Sequence, residues 1–351
     1  MDKICCEVIA LNSQTIVFTA PRQAELLPEE VPAPKDGQVL VQLAYSTVSS
    51  GTERANLAGD PNVSIGSRDR TPHFPRYVGY SSSGIVIQTG PQVQSVQPGD
   101  RVAVAWGRHS QYLLLEEGNL IKLEEAISME EAAAALIGTF PLAAVRKCRL
   151  EIGEPAVVMG LGILGLIGVQ LLRAAGAVPV IAVDPVERQR ERALRFGADW
   201  ALDPGEEGFA QKVCSLTGGG AKVAIEVTGA GQALDQVLDC MAPLGRVALL
   251  GCTRRSDFTV DYYHKVHGPG ISLIGAHTLA RPKRESSPGL WTDRDDMTAL
   301  LQLLRQGRIS WKNLVERRCS PLEAPAVYQD LLENPSFPIT QFDWSLLGSG
   351  N

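Results

Sequence analysis

Four apolar residues, Ala156-Val157-Val158-Met159, run into Gly160-Leu161-Gly162-Ile163-Leu164-Gly165 and then into a helix-forming stretch. The spacing gives each glycine a task. Gly160 permits a tight turn, Gly162 lets a pyrophosphate approach the backbone, and Gly165 lets helix and strand pack closely. Phosphates held there meet free N–H groups and the positive end of a helix dipole. Asp184 closes the next strand in VIAVD, at roughly the 20-residue distance a dinucleotide fold requires. Its carboxylate suits ribose hydroxyls and repels a 2′-phosphate, so the pattern predicts NAD(H) in preference to NADP(H). Arg188 stands close by and would soften that preference.

The elements that must position these residues change character along the chain. The first third reads as β-rich. GQVLVQLAYSTVSS, SSGIVIQTG and GDRVAVAW are short β-branched runs bounded by Gly and Pro. Between them GDPNVSIGSRDRTPHFPRYVG reads as a long loop. SMEEAAAALIGTFPLAAVRKC is helical in composition, with Ser128 as N-cap and Glu131 completing a capping box. Apolar strands then alternate with helices, including GQALDQVLDCMAPLG as one helix, which predicts a parallel sheet covered on both faces. In the last part ISLIGAH and ITQFDW read as strands. RDDMTALLQLLRQG reads as a helix capped by Gly307, and EAPAVYQDLLEN as another. The order predicts an α/β chain: a β-rich domain over 1–125, a dinucleotide-binding domain over 126–277, and a return to the first domain over 278–351.

Bulk properties exclude several classes. The chain has 351 residues, 44% of them hydrophobic, enough for two cores. Lys+Arg number 33 against 39 Asp+Glu, mixed along the chain, so a nucleic-acid partner is not expected. Even ERQRERALR interleaves its charges as a solvated helix face would. Seven scattered cysteines, with no CxxC and no leader-like apolar run at the start, point to free thiols and a cytoplasmic setting. AVVMGLGILGLIGVQLL is long and apolar, but its glycines make it a strand, turn and helix, and no membrane span is expected.

PGDRV, GLGILG, VIAVD, RALRFGAD, EVTG and LGRVALLG together resemble the medium-chain dehydrogenase/reductase superfamily, over essentially the whole length. The resemblance implies a GroES-like catalytic domain, a Rossmann domain with a doubly wound parallel sheet, and a cleft between them where hydride passes between nicotinamide and a carbonyl, alcohol or polarised double bond. It places Ser50, Ile163, Leu164, Thr228, Gly229, Leu250, Gly251 and Cys252 with the cofactor. Zinc members hold the metal with Cys in a CGTD-like stretch, His in GHE, and a further Cys or Glu. Here those stretches read Ser50-Gly51-Thr52-Glu53 and Gly79-Tyr80-Ser81, no ligand falls near 135–138, and the four-cysteine lobe of the structural zinc is missing. Hydroxyls are poor zinc donors, so no zinc is expected.

Without a Lewis acid, a developing alkoxide needs hydrogen-bond donors or a general acid. Thr52 matches the family hydroxyl at the substrate oxygen, Tyr80 replaces a metal ligand, and His277 lies near the expected nicotinamide edge; these are the catalytic candidates. Trp106 is expected to wall the substrate pocket, and Glu53 to line or orient it. His73 and His109 are further loop candidates, and the relay His of some members is Ala55 here. The hydroxyls of Ser49, Ser50, Thr52, Tyr80, Ser81 and Ser82 favour a small polyhydroxylated substrate, such as a sugar or cyclitol derivative. The alternatives are an enone or quinone reductase and a non-catalytic NAD(H)-binding protein. A homodimer is expected.

Overall fold

The computed structural model describes residues 11–60, 71–254, 256 and 258–347. Cys5, Cys6 and residues 61–70 of the expected long loop lie outside the described residues.

The first segment contains β1 (Leu11–Ala20), β2 (Gln23–Val31), β3 (Gln38–Thr47), α1 (Ser50–Ala58), β4 (Arg76–Tyr77), β5 (Ser81–Thr89), β6 (Arg101–Ala105), β7 (Tyr112–Glu116), β8 (Leu120–Lys122) and α2 (Met129–Ala132). The middle segment begins with α3 (Ala135–Lys147), β9 (Ala156–Met159), α4 (Ile163–Ala174), β10 (Val180–Val183) and α5 (Glu187–Arg195). It continues through β11 (Trp200–Leu202), α6 (Phe209–Thr217), β12 (Ala221–Glu226), α7 (Gly231–Asp239), β13 (Met241–Leu249), β14 (Ser272–Gly275) and α8 (Asp293–Arg305). Last come β15 (Arg317–Cys319), α9 (Ala324–Glu333) and β16 (Thr340–Asp343).

Two compact units result, Met1–Leu136 with Val315–Asn351, and Ile137–Leu314. The sequence reading places its domain joins at 125/126 and 277/278. In the first unit β15, β16, β3, β5, β6 and β8 pair in that order, and β7 adds to β3. A smaller sheet has the order β2-β1-β4. Side chains alternate inward along β3, where Val39, Val41 and Leu43 join a core with Phe18, Leu57, Tyr328 and Phe342.

The second unit is a six-stranded sheet of order β11-β10-β9-β12-β13-β14, with every pairing parallel. The order reverses direction between β9 and β12, the switch point at which open α/β sheets bind ligands. Every residue of β9 and β10 is buried, as strands covered on both faces require. The long apolar run is therefore strand, turn and helix. No helix among the described residues is long and apolar enough to cross a membrane.

Three local expectations need correction. The helix capped by Ser128 is two helices, because α2 ends at Ala132 and α3 starts at Ala135. Ser128 does cap it, accepting from the Glu131 N–H at 3.2 Å. Glu131 takes the Ser128 hydroxyl at 2.9 Å and not its backbone N–H, so the capping box is incomplete. GQALDQVLDCMAPLG is not one helix: α7 stops at Asp239 and Met241 opens β13, where it pairs with Ala221.

Candidate functional site

In the second unit the glycine turn sits at the carboxyl end of β9. Gly160 has φ +98°, and a Cβ there would lie 2.7 Å from the Thr228 methyl. A Cβ on Gly165 would meet the Gly160 carbonyl oxygen at 1.9 Å, so the first turn of α4 can approach the strand only without one. A Cβ on Gly162, the N-cap of α4, would meet nothing within 4 Å. The cradle is thus closed at its first and third glycines and open at its second, where the phosphate argument requires room.

Asp184 leaves β10 and ties the turn down. Its Oδ2 accepts from the Leu161 N–H at 2.8 Å and its Oδ1 from the Val186 N–H at 2.9 Å. Burial raises its carboxyl above the ordinary value, against those two bonds and the nearby Arg190, which hold it down. Arg190 spans the Asp184 carbonyl at 2.8 Å and the Asp203 carboxylate at 2.9 Å. Arg188, the expected modifier of the site, is exposed on α5.

The Thr228-Gly229 turn is held by Glu226, which no sequence argument singled out. Glu226 is 3% exposed. Its carboxylate accepts from the Thr228 N–H at 2.7 Å, from the Thr228 hydroxyl, and from the Gly229 N–H at 3.1 Å. Burial raises this carboxyl too. Its backbone carbonyl accepts from Leu250 and Gly251 at 2.9 and 2.8 Å. A Cβ on Gly229 would strike the Cys252 backbone at 2.6 Å. So the Gly160, Thr228 and Gly251 turns meet at one end of the sheet. An acid closing a buried apolar strand, as in KVAIEVTG, was the signal that could have found Glu226, since such a group must be bonded.

His277 follows β14 at that same end, where the Ala276 N–H reaches the Leu249 carbonyl at 3.1 Å. The His277 Nδ1 accepts from the Leu279 N–H at 3.2 Å, leaving the proton on Nε2 in the neutral ring. Burial, then the Arg254 and Lys147 charges, push its pKa below the usual histidine value. Lys147 clamps this loop through the Gly275 and Ala280 carbonyls, at 2.8 and 2.5 Å.

In the first unit the hydroxyl residues divide. Ser49 is the N-cap of α1, and the Tyr80 phenol donates to its hydroxyl. Gly79, at φ +88°, brings the chain so close to His109 that a Cβ would lie 2.7 Å from its ring. The Tyr80 carbonyl accepts from the Trp106 N–H at 2.9 Å, and the two rings lie 6.0 Å apart. Trp106 is 39% exposed at φ +58°. Ser50 and Thr52 are half-buried in the first turn of α1. Ser81 and Ser82 are buried instead: Ser81 donates to the Ala133 carbonyl at 2.8 Å, and the Ser82 hydroxyl has no partner among the described residues.

Glu53 does not line an open pocket either. It is 1% exposed, because its carboxylate is taken up by the interior. It accepts from the Ser49 N–H at 2.8 Å and the Tyr328 hydroxyl at 2.6 Å, with His109 Nε2 at 3.2 Å. His109 is fully buried, and its Nδ1 lies 2.7 Å from Ser46 Oγ. His73 contributes a backbone carbonyl to Arg76 at 2.8 Å.

These groups do not suit zinc. At the two positions where the resemblance puts thiolate and imidazole stand Ser50 and the Tyr80 phenol, the latter engaged with Ser49. Among the described residues no group of three or more His, Cys, Asp or Glu could hold a metal ion. The groups of the second unit do suit a dinucleotide, with the open Gly162, the α4 N-terminus and the Asp184 carboxylate in place.

The alcohol dehydrogenase GroES-like domain family matches residues 35–140, and the zinc-binding dehydrogenase family residues 164–290. Among curated proteins, L-threonine 3-dehydrogenase of Pyrococcus horikoshii is 27% identical over 287 residues, covering 72% of this chain and 79% of its own. D-guloside 3-dehydrogenase of Escherichia coli K12 is 25% identical, covering 91% and 95%. An Escherichia coli oxidoreductase/dehydrogenase of unknown specificity superposes with a TM-score of 0.81 at 16% identity, over 95% of this chain and 99% of that one, a likeness of fold. The chain belongs to the medium-chain dehydrogenase/reductase superfamily of NAD(P)-dependent oxidoreductases.

Proposed function

We propose that this protein is a zinc-independent oxidoreductase that prefers NAD(H) and interconverts a polar alcohol and its ketone. The observation that carries the reading is the Tyr80 phenol, at a position where the resemblance puts a metal ligand, donating to Ser49, in a chain whose glycine turn is open only at Gly162. Both curated relatives named above are 3-dehydrogenases of polar compounds, which supports a polar alcohol as substrate. With Ser81 and Ser82 buried, the hydroxyl argument for a polyhydroxylated substrate narrows to Ser49, Ser50, Thr52 and Tyr80.

When bound, NAD+ supplies the hydride acceptor. The chain's part is to hold the cofactor and to stabilise the charge on the reacting oxygen. Ile163 and Leu164 open α4, so their N–H groups belong to the unpaired first turn that suits phosphate. In this reading Asp184 accepts from ribose hydroxyls on the lone pairs that its two N–H bonds leave, Arg188 borders that site, and Thr228, Gly229, Leu250, Gly251 and Cys252 belong to the turns beside the glycine turn. Thr52 and the Tyr80–Ser49 pair are the donors available to the substrate oxygen, a role that metal fills in zinc members. His277, neutral with Nε2–H, is a further donor, and Trp106 supplies an aromatic wall beside Tyr80.

The test is turnover with NAD+ and NADP+ on L-threonine, a D-guloside and (R,R)-butanediol, and with NADH on an enone and a quinone. Oxidation of at least one alcohol is expected, without added metal. Reduction of the enone or quinone alone would reassign the chain as a reductase of activated double bonds. Tight NADH binding with no turnover would make it a binding protein.

A further inference from the structure

A serine hydroxyl accepts two hydrogen bonds and donates one. With the Tyr80 phenol donating into Ser49 Oγ, the Ser49 proton is directed to another acceptor, and no described residue takes it. Ser49 is half-buried, and its position is fixed from below. Its N–H donates to Glu53 Oε1 at 2.8 Å. Glu53 is in turn immobilised by Tyr328 at 2.6 Å and His109 at 3.2 Å. His109 is braced by Ser46, which accepts the Trp344 indole N–H at 2.9 Å. A buried carboxylate needs such donors around it, because each hydrogen bond left unmade there is costly. The network therefore holds Ser49 from its backbone while Tyr80 holds it from its side chain.

We infer that Ser49 is the residue that hydrogen-bonds the reacting oxygen, with Tyr80 and Glu53 acting through it as positioning residues. The inference rests on the reading of the chain as an alcohol–ketone oxidoreductase. As hydride reaches a carbonyl carbon, negative charge grows on its oxygen, and the Ser49 O–H is the donor that this network leaves uncommitted. The bond from Tyr80 polarises that O–H and strengthens it as a donor. Only a hydrogen bond is required of Ser49, with no transfer of its proton. Sequence spacing alone favours Thr52, because Thr52 occupies the family position.

The experiment uses isobutyramide, whose carbonyl oxygen stands in for that of a ketone, titrated against the protein–NADH complex and followed by NADH fluorescence. Ser49→Ala should weaken the amide about tenfold, the loss of one hydrogen bond to a desolvated carbonyl. NADH affinity should stay within about threefold of the parent, and the thermal midpoint should show the variant folded. Tyr80→Phe should weaken the amide in the parent, yet change nothing in the Ser49→Ala background, because its effect passes through a hydroxyl no longer present. With any alcohol that turns over, Ser49→Ala should lower kcat about 100-fold and KM far less. Parent-like amide binding in Ser49→Ala overturns the inference, as do independent losses in the double variant or failure of the parent complex to bind the amide. Ser49-dependent amide binding without turnover of any alcohol would overturn the functional reading and leave the Ser49 assignment standing.

Discussion

A phenol at position 80, where the resemblance puts an imidazole, replaces a lone pair that metal can use with an O–H that can polarise a neighbouring hydroxyl. The partner of that O–H is Ser49 rather than a distant base. Thr52→Val and Tyr80→Phe each remove a hydroxyl at nearly constant shape. Each should lower turnover roughly tenfold or more, with NADH affinity within a factor of about three. Parent-like turnover in both would leave Ser49 and then His277 as the donors to test. Asp184 carries a second residue-scale expectation. A 2′-phosphate beside its carboxylate meets a repulsion of about 1–4 kcal/mol at contact, depending on solvent access. Asp184→Asn keeps an oxygen for one of its two N–H partners and deletes the charge. It should narrow the gap between NADH and NADPH affinities, measured by fluorescence titration. Equal affinities in the parent would show that Arg188 governs the site.

The glycine turn shows what an element-length pattern carries. Its spacing, the strand before it and the acid after it are all local, so the tight turn between β9 and α4 was legible in the sequence. The Glu53–His109–Tyr328 network was not, because its members lie 56 and 275 positions apart and only the packed unit brings them together. For the same reason the serines of SSSG looked alike until β5 buried Ser81 and Ser82. The boundary between α7 and β13 was missed because Val237, Leu238 and Met241 continue a helical spacing, while the pairing of Met241 with Ala221 is tertiary. The cradle separates two substitutions of equal chemistry. Gly165→Ala would press a methyl against the Gly160 carbonyl and should lower the thermal midpoint, whereas Gly162→Ala meets open space and should leave stability unchanged while weakening NADH binding. Equal midpoint losses for the two would contradict the cradle. The loop after β14 gives a pH dependence. His277 protonates less readily folded than unfolded. Below its ordinary value of about 6.5 the unfolded chain binds a proton that the folded chain resists, so stability falls as pH drops. His277→Gln should flatten the decline in thermal midpoint between about pH 7.5 and 5.5. A slope identical to the parent's would show that His277 does not contribute.

At the scale of the whole molecule, the two units differ in build: one holds a parallel sheet with a glycine turn at its switch point, the other a β-rich frame with Ser50 and Tyr80. Metal content follows from the second. Protein purified without chelator should contain far less than one zinc per chain by elemental analysis, since Ser50 and Tyr80 replace the donors. One zinc per chain would refute this and with it the role given to the hydroxyls. Assembly follows from the first. β14 ends the six-stranded sheet, and no described strand pairs with its outer edge. Beside it a groove of about 600 Å³ is lined by Tyr262, Tyr263, Val266, His267, Gly270 and Ile271. Leu244, Tyr262 and Tyr263 are 72%, 60% and 66% exposed. An uncovered edge strand flanked by large apolar side chains invites uncontrolled pairing unless a partner closes it. A second copy of the same edge can do so in a two-fold arrangement, where each strand supplies what the other lacks. Light scattering at micromolar concentration should therefore give the mass of a dimer. Leu244→Glu with Tyr262→Glu, placed on exposed side chains that the fold does not need, should shift it toward the monomer with little change in the thermal transition of the isolated subunit. A monomeric mass for the parent protein would mean that the edge is protected within the chain itself.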